Sequence, residues 1–453
     1  MDAIAAIADH VARTPFQNLP SSAIRATKTF ILDTLGVGIA GSSGPLASEL
    51  AEIQETWGRL EGGARVWGNG KYLPAMAAAM SNAYQVHNSE FDCVHEQAVV
   101  HAMTVVLPVA LAGAERRKGI SGKDLITAVT LGVDVAAGLG VAATTGLRFF
   151  RPATAGAFGG TATLAKLMGL DQSAMINAFS IAYAQCCGTM QAHSEGSALL
   201  AMQMGFNARN AVVACDLAAQ GFEGPKNVLE GPFGYFKLIE TSGEPARIAR
   251  DLGQRWFVTE LAHKPFPSGR ATHGIIEACI ELQRLHGCEP AKIDRVTARV
   301  PPLVDHLVGR PSRPDMSINY ARLCARYLAA RALLGGTIGV EDFSPQAYRD
   351  APTQALAQRV GIEVLDVGDP NALTPIEVEI SMRDGAHHVA RLDIVLGNPA
   401  RPLTRDGQLE KFRHNCQVAT RPLPHSIVEQ LIERVDQLEE VADVVELADL
   451  SSV

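Results

Sequence analysis

The chain has 453 residues, which corresponds to two or three structural units of ordinary size. Hydrophobic residues make up 47% of the chain but aromatic residues only 6%, so the core is built mainly from Ala, Leu, Val and Gly, a composition that favours closely packed helices. The net charge of −8 is spread along the chain, which argues against nucleic acid as the main partner because phosphate binding needs a basic face.

The first half of the chain reads as successive helices. Apolar residues return every three or four positions in residues 24–39, 75–86 and 124–139. Residues 126–147 are apolar enough to raise the question of a membrane span, but Asp134 and four glycines within them indicate a buried core helix. We therefore expect a helical domain over residues 1–261 and no membrane partner.

The pattern changes after residue 261. Residues 295–300 and 376–382 alternate apolar and polar side chains as half-buried strands do. The pair Asp384-Gly385 predicts a hairpin that joins the second of these strands to residues 389–394. Residues 323–334 and 354–360 read as helices, so residues 262–398 form an α+β segment. Residues 399–453 read as helical again and are expected to pack back on the first domain.

Expectations about cofactors and the cellular compartment follow from motifs that the sequence does not contain. No glycine-rich phosphate-binding pattern follows a predicted strand, so we expect no nucleotide cofactor. The eight cysteines show no CxxC pair or zinc-ligand spacing, which predicts buried thiols, no metal and a reducing compartment. Residues 1–20 lack the features of a signal peptide, so we expect a cytoplasmic protein.

Several short motifs together resemble the MmgE/PrpD family, whose members include 2-methylcitrate dehydratase, cis-aconitate decarboxylase and iminodisuccinate epimerase. The matching pieces occur in family order over almost the whole chain: residues 87–92 (HNSEFD) with His101, 155–160 (AGAFGG), 167–171 (LMGLD), 221–225 (GFEGP), 229–231 (LEG), 264–268 (KPFPS) and 411–416 (KFRHNC). The resemblance implies a mainly α fold, with a large all-helical domain and an inserted α+β lid domain. It also implies a site where the two meet, no metal or organic cofactor, and a homodimer.

Acid/base chemistry is the first candidate function of the residues in these motifs. Residues 90–101 gather Glu90, Asp92, His95 and His101, and histidine exchanges protons near neutral pH. The alternative is a solvated loop whose histidines bind backbone carbonyls. The resemblance implies that His101 is catalytic and that Glu90 occupies the position of a family aspartate, and His95 is a further candidate for substrate binding.

Lys264, Arg270 and His273 form a second group around the predicted start of a helix at Ser268. Arg270 and His273 are three residues apart and so share a helix face, which predicts a carboxylate clamp at a helix N-terminus. A desolvated lysine can act as a base, and Lys264 is therefore a catalytic candidate, although a lysine before a proline is ordinarily a surface residue.

The resemblance also implies a catalytic role for Tyr327, whose alternative is that of an ordinary buried tyrosine. At four positions the chain departs from the family pattern, with Phe150 for a histidine, Leu200 for a lysine, Gly269 for a histidine and Val94 for a threonine. These losses argue against decarboxylation of cis-aconitate.

Arg148 and Arg151 flank Phe150 and could bind substrate carboxylates, or else form a solvated pair at a helix end. A site rich in cations and poor in acids suits a substrate with several carboxylates and no hydroxyl group to expel.

Our leading hypothesis is therefore a cofactor-independent epimerase that removes and returns the Cα proton of a small polycarboxylate such as iminodisuccinate. One alternative is a hydro-lyase similar to 2-methylcitrate dehydratase, with His95 or His273 as the acid. Another is a polycarboxylate-binding protein without catalysis.

Overall fold

The computed structural model describes residues 2–58, 60 and 62–452. The chain divides into two compact units: unit 1 comprises Met1–Met190, Leu199–Leu261 and Thr404–Val453, and unit 2 comprises Gln191–Ala198 and Ala262–Leu403. The protein is mainly α, as the sequence predicts. Residues 191–198, which the sequence placed in the helical domain, group with unit 2.

The helices are, in chain order, α1 Ala3–Arg13, α2 Ser21–Gly41, α3 Ala47–Trp57, α4 Ala75–His87, α5 Met103–Arg117, α6 Gly122–Ala142, α7 Arg151–Met168, α8 Gln172–Ala184, α9 Gln191–Glu195, α10 Leu199–Ala219, α11 Tyr235–Leu238, α12 Pro245–Asp251, α13 His273–His286, α14 Pro302–Val308, α15 Ile318–Ala321, α16 Ala325–Gly335, α17 Pro345–Arg349, α18 Ala351–Ala357, α19 Arg405–Gln417, α20 His425–Asp436 and α21 Val445–Leu450. The strands are β1 Ala64–Arg65, β2 Tyr72–Leu73, β3 Val94–His95, β4 Leu261–Ala262, β5 Ile293–Val300, β6 Val360–Val364, β7 Ile376–Met382 and β8 His387–Leu392.

Small residues let the helices of unit 1 approach closely. A Cβ added at Gly132 of α6 would lie 1.9 Å from the hydroxyl of Thr163 and 2.8 Å from the carbonyl of Gly159, both on α7. Only glycine permits that approach, so the backbones of α6 and α7 are in direct contact. The Ala- and Gly-rich composition thus appears in the fold as close helix packing in the core of unit 1.

Helix α6 is long and apolar enough to cross a membrane, and an apolar stretch of 18 residues within it is entirely buried inside unit 1. Its N-terminus carries a capping box in which Ser121 and Asp124 bind each other's backbone N–H groups. Asp134, in the middle of the helix, accepts a hydrogen bond of 2.8 Å from the backbone N–H of Phe257. The predicted core helix is therefore confirmed, and the buried carboxylate in its middle has a structural partner.

Unit 2 contains a four-stranded sheet in the order β6-β5-β7-β8. Strand β5 is parallel to β6 and antiparallel to β7, and β7 and β8 form an antiparallel hairpin. The hairpin turn includes Gly385, whose φ of +91° explains why glycine follows Asp384 there. Helix α13 packs on β7 and β8.

One segment of unit 2 was predicted wrongly. Residues 354–360 read as a helix, but α18 ends at Ala357 and Val360 begins strand β6. The five residues of β6 pair with residues 296–300 of β5. Such a short edge strand carries too little periodicity to be distinguished from the end of a helix, and its pairing with β5 decides its structure.

Candidate active site

The loop between α4 and α5 carries a buried acid/base cluster in unit 1. His87 is the last residue of α4, His101 lies two residues before α5 begins, and Thr104 is in the first turn of α5. The loop backbone adopts left-handed conformations at Glu90, with φ of 53°, and at Val99, with φ of 52°. Strained residues of this kind persist where the surrounding structure holds them, and they are frequent at functional sites.

Asp92 is the centre of the cluster and is fully buried. Its Oδ2 accepts a hydrogen bond of 2.5 Å from the hydroxyl of Thr104 and lies 2.8 Å from Nδ1 of His87. The same oxygen lies 3.0 Å from Nδ1 of His101. One buried carboxylate therefore contacts two imidazoles, whose rings meet edge to face with centroids 5.0 Å apart.

Glu90 extends the cluster at its other end. One of its carboxylate oxygens lies 3.6 Å from Nε2 of His87, and both side chains are buried. The chain of contacts thus runs from Glu90 through His87 and Asp92 to His101. Two carboxylates and two imidazoles in contact can hold and exchange protons, because each proton taken up by a histidine is balanced by a neighbouring negative charge.

His101 is the histidine of this cluster with the greater solvent access, with 8% of the residue exposed against 2% for His87. Since Asp92 faces Nδ1 of His101, proton exchange with a bound molecule would go through Nε2. A carboxylate at Nδ1 orients the ring and stabilises the imidazolium that forms when Nε2 accepts a proton. This is the arrangement of a general base.

The same three side chains could hold a metal ion. Within the part of the chain that the structure describes, donor atoms of His87, Asp92 and His101 form a group in which all lie within 4.8 Å of one another. Two imidazoles and a carboxylate are ligands suited to zinc or iron. A metal would have to displace the hydrogen bonds that His87 and Thr104 make to Asp92, so the donor set fits the proton-transfer arrangement better.

Arg151 is buried and forms an ion pair inside unit 1, which the sequence did not reveal. The residue is 1% exposed, and its guanidinium donates two hydrogen bonds of 2.9 Å to the carboxylate of Glu240. It also donates to the backbone carbonyls of Ala98 at 3.1 Å and Thr145 at 2.9 Å. Most of its donors are therefore used inside unit 1, which favours a packing role for Arg151 over the predicted substrate contact. Arg148 is exposed in the loop before α7 and keeps its side chain at the surface.

Both ring nitrogens of His95 also lie next to polar groups of unit 1. Its Nδ1 accepts a hydrogen bond from the backbone N–H of Ala98, so the proton of the neutral ring is on Nε2, which lies 3.3 Å from Glu260. Burial opposes ionisation of Glu260, but hydrogen bonds from Arg255 and then from His95 lower the pKa of this carboxyl to about 2. The ring packs edge to face on Phe257. This environment favours a packing role for His95 over the predicted substrate contact.

In unit 2, Arg270 and His273 lie side by side as predicted, with NH1 of Arg270 3.5 Å from Nδ1 of His273. Nε2 of His273 lies 3.1 Å from the carbonyl of Ser268, so this nitrogen carries the proton of the neutral ring. Arg270 donates to the carbonyls of Leu396 at 2.8 Å and Val395 at 3.3 Å. These contacts attach the start of α13 to the segment after β8, and the carboxylate clamp stays a prediction.

The two catalytic candidates of unit 2 are both fully buried. Lys264 follows β4 and is 0% exposed, an unusual position for a lysine and unlike the surface position that was its alternative. Tyr327 in α16 is 0% exposed, donates its hydroxyl proton to the backbone carbonyl of Asp342, and packs edge to face on Tyr348. Burial raises the pKa of the Tyr327 phenol, so this geometry favours packing over the predicted proton donation.

Some residues of the cluster were missing from the predicted site. His87 and Thr104 were not predicted, although His87 opens the motif at residues 87–92 and could have been found there. The ring of Phe150, at a position where the resemblance implies a histidine, packs with its centroid 5.7 Å from that of His87. In unit 2, NH2 of Arg310 lies 3.2 Å from Nδ1 of His193, and 117 residues of sequence separation left no local signal for that pair.

The chain is mainly α with an α+β segment, and it carries a buried histidine–carboxylate cluster of the kind that acid/base chemistry uses. Family models describe the two parts of the chain: the MmgE/PrpD N-terminal domain matches residues 5–247 and the MmgE/PrpD C-terminal domain matches residues 266–437. The chain belongs to the MmgE/PrpD family, as the motifs predicted.

Three relatives are cis-aconitate decarboxylases. The chain is 29% identical to that of Mus musculus over 94% of this chain and 88% of the relative. It is 28% identical to that of Homo sapiens over 94% and 89%, and 27% identical to that of Aspergillus terreus over 95% and 92%. An enzyme that acts on polycarboxylates fits these relationships.

Proposed function

We propose that this chain is a cofactor-independent epimerase that inverts a Cα centre next to a carboxylate in a small polycarboxylate such as iminodisuccinate. The observation that carries the proposal is the contact of His101 with the buried Asp92, which is itself held by His87 and Thr104. A base prepared in this way serves proton removal, the step that an epimerase needs most.

The reaction starts when Nε2 of His101 accepts the Cα proton of the substrate. The electrons of the broken C–H bond move into the adjacent carboxylate and form an enediolate, while the imidazolium is stabilised by Asp92 at 3.0 Å. A second group then donates a proton to the opposite face of the carbon. Lys264 stays a catalytic candidate from the sequence, because it is a buried amine in a motif that matches the family.

Two departures from the family pattern support epimerisation over reactions that use the groups missing at those positions. Phe150 places an apolar ring against His87 where the resemblance implies a histidine. Leu200, at the position of a family lysine, is 3% exposed in α10. Neither side chain can protonate a leaving hydroxyl group or a product carbanion. The relatives named cis-aconitate decarboxylase make loss of CO2 the competing reaction to be measured.

Two further parts of the proposal concern the exposed side chain of Arg148 and the homodimer that the resemblance implies. We propose that Arg148, which is exposed and charged, contributes to attracting the polycarboxylate, and that the chain works as a homodimer. Arg270 and His273 stay as candidates for binding a substrate carboxylate. Arg151 and His95 have no part in the proposed chemistry, because their polar atoms serve packing within unit 1.

The test is proton NMR of the full-length protein in D2O with the iminodisuccinate stereoisomers, cis-aconitate, citrate and 2-methylcitrate. We expect loss of the Cα–H signal of iminodisuccinate together with conversion between diastereomers. His101→Asn is expected to slow this exchange by about 10²–10⁴-fold, whereas His10→Asn, a control at a half-buried histidine elsewhere in unit 1, leaves it unchanged. Treatment with EDTA is also expected to leave the exchange unchanged.

Other outcomes distinguish the alternatives. A new alkene signal from 2-methylcitrate would assign a hydro-lyase, and itaconate from cis-aconitate would assign a decarboxylase like the relatives. Saturable binding without any proton exchange would assign a binding protein. If His101→Asn exchanges as fast as the unmodified protein, His101 is not the base and the proposed mechanism is wrong.

A further inference from the structure

The last of the family motifs, residues 411–416, lies in helix α19 and outside the acid/base cluster. Helix α19 packs on α2, and Phe412 is buried at this contact. A Cβ added at Gly36 of α2 would lie 2.7 Å from Cδ2 of Phe412, so the two helices approach closely there. The packing of Phe412 thereby places Lys411, the residue before it, next to α2.

Lys411 is a buried cation with oxygen partners on two other elements of unit 1. Its Nζ lies 2.8 Å from Oδ1 of Asp33 in α2, and the two side chains are 7% and 6% exposed. The same ammonium donates a hydrogen bond of 3.0 Å to the backbone carbonyl of Phe91 and lies 4.0 Å from the centroid of the Phe91 ring. Lysine is seldom buried unless it is paired, so this ammonium joins α19, α2 and the loop between α4 and α5.

Phe91 directly precedes Asp92, so its carbonyl belongs to the peptide group that leads into Asp92. Because a peptide group is planar, a hydrogen bond that fixes this carbonyl also fixes the direction in which the chain enters Asp92. On the other side of Phe91, Glu90 has a φ of 53°, a conformation that needs support from its surroundings. The contact with Lys411 therefore acts on the backbone next to the carboxylate that faces His101.

The charges of Lys411 and Asp33 also reach the acid/base cluster. Cys93 follows Asp92 and is fully buried. Burial raises the pKa of the Cys93 thiol well above its usual value, the charges of Asp33 and then Asp92 raise it further, and Lys411 opposes them. One thiol therefore interacts with both carboxylates and with the ammonium. A buried cation at this place offsets negative charge that would otherwise accumulate around Asp92.

We propose that Lys411 and Asp33 are a positioning pair that holds the peptide group between Phe91 and Asp92 and thereby keeps the Asp92 carboxylate against His101. Lys411 makes the contact with the loop, and the ion pair with Asp33 keeps the ammonium in place. Neither side chain touches the substrate. The inference rests on the proposed function, because it assigns the pair a task in the same acid/base reaction.

The test combines kinetics with backbone amide exchange of the full-length chain, followed by mass spectrometry. Lys411→Met should lower kcat for iminodisuccinate by about 10–100-fold and change KM by less than about threefold, because a displaced base slows the reaction step and leaves binding intact. Peptides that cover residues 88–100 should exchange their amide protons at least about tenfold faster in this variant. Lys411→Arg keeps a cation and its donors, so its kcat should lie between the two.

The matched control is Lys28→Met. Lys28 also connects α2 to the C-terminal segment, since its Nζ lies 2.7 Å from the carboxylate of Glu439 and 2.9 Å from the carbonyl of Asp436. Both of these partners lie outside residues 87–101. The control variant is expected to keep kcat within about twofold and to leave the amide exchange of residues 88–100 unchanged.

A double variant, Lys411→Met with Asp33→Leu, separates positioning from stability. Since no buried charge is left without its partner, the melting temperature should rise above that of Lys411→Met alone. The carbonyl of Phe91 still lacks its donor, so kcat should stay low and the amide exchange of the loop should stay fast. A pair that served stability alone would regain kcat together with the melting temperature.

Failure of this inference is distinguishable from failure of the proposed function. If the unmodified chain exchanges no Cα proton of iminodisuccinate, the proposed epimerase is wrong, and the amide exchange of residues 88–100 alone decides whether Lys411 holds the loop. The positioning pair is overturned if Lys411→Met leaves that amide exchange unchanged or keeps kcat within about threefold. It is also overturned if the double variant regains kcat.

Discussion

Replacing Arg151 with methionine tests whether this residue supports the fold or binds substrate. Methionine keeps much of the volume but leaves the carboxylate of Glu240, which is 3% exposed, with a hydrogen bond of 3.0 Å from the hydroxyl of Tyr235 and, among the residues that the structure describes, no cation beside it. Removing one partner of a buried ion pair costs about 3–5 kcal/mol, because the other charge is left without compensation. We therefore expect Arg151→Met to lower the free energy of unfolding of unit 1 by about that amount.

The assay is urea unfolding followed by tryptophan fluorescence. All three tryptophans, Trp57, Trp67 and Trp256, belong to unit 1, so the signal reports on that unit. The matched control, Arg148→Met, removes an exposed arginine three residues away and is expected to change the free energy of unfolding by less than about 0.5 kcal/mol.

A double variant, Arg151→Met with Glu240→Leu, separates the pair from its surroundings. Since both charges are then removed, we expect it to be more stable than the sum of the two single losses predicts, by about 1–3 kcal/mol. If Arg151→Met costs less than about 1 kcal/mol and instead raises KM, then Arg151 binds substrate and the structural interpretation is refuted.

Three further predictions concern other positions. Burial raises the pKa of the Asp134 carboxyl well above its usual value, so the native protein keeps a proton that the unfolded chain releases. Stability therefore falls as pH rises from about 4 towards the native pKa. Asp134→Asn should flatten this fall, which is measured as the difference between the urea midpoints at pH 5 and pH 7.5. Gly41→Ala should lower the melting temperature by an amount equivalent to about 3 kcal/mol, because the added Cβ would lie 1.9 Å from the carbonyl of Gln85. The control is Gly335→Ala, whose added Cβ would have nothing within 4 Å and should leave the melting temperature unchanged. Tyr327→Phe should cost about 1 kcal/mol of stability and keep kcat within threefold, and a hundredfold loss of kcat would make Tyr327 catalytic.

The periodicity of apolar residues was sufficient to predict several helices and strands of the fold. The predicted helices at residues 24–39, 75–86 and 124–139 lie within α2, α4 and α6, and β7 has the predicted bounds. These elements are long or strongly alternating, so the local pattern of apolar residues determines them. The edge strand β6 and the grouping of residues 191–198 with unit 2 depend on partners far away in the sequence, and local patterns carry no record of those partners.

For the candidate site, the motif could be read from the sequence, whereas the partners of each side chain are seen only in the tertiary structure. The match at residues 87–92 and His101 is enough to indicate histidine and carboxylate chemistry, because those residues lie close together in the chain. Which arginine serves packing cannot be predicted in that way. Arg148 and Arg151 are three residues apart and equally charged, and only the folded chain brings Glu240 to one of them. A charged side chain acquires its role from the partners that burial places around it, and those partners are set by tertiary contacts.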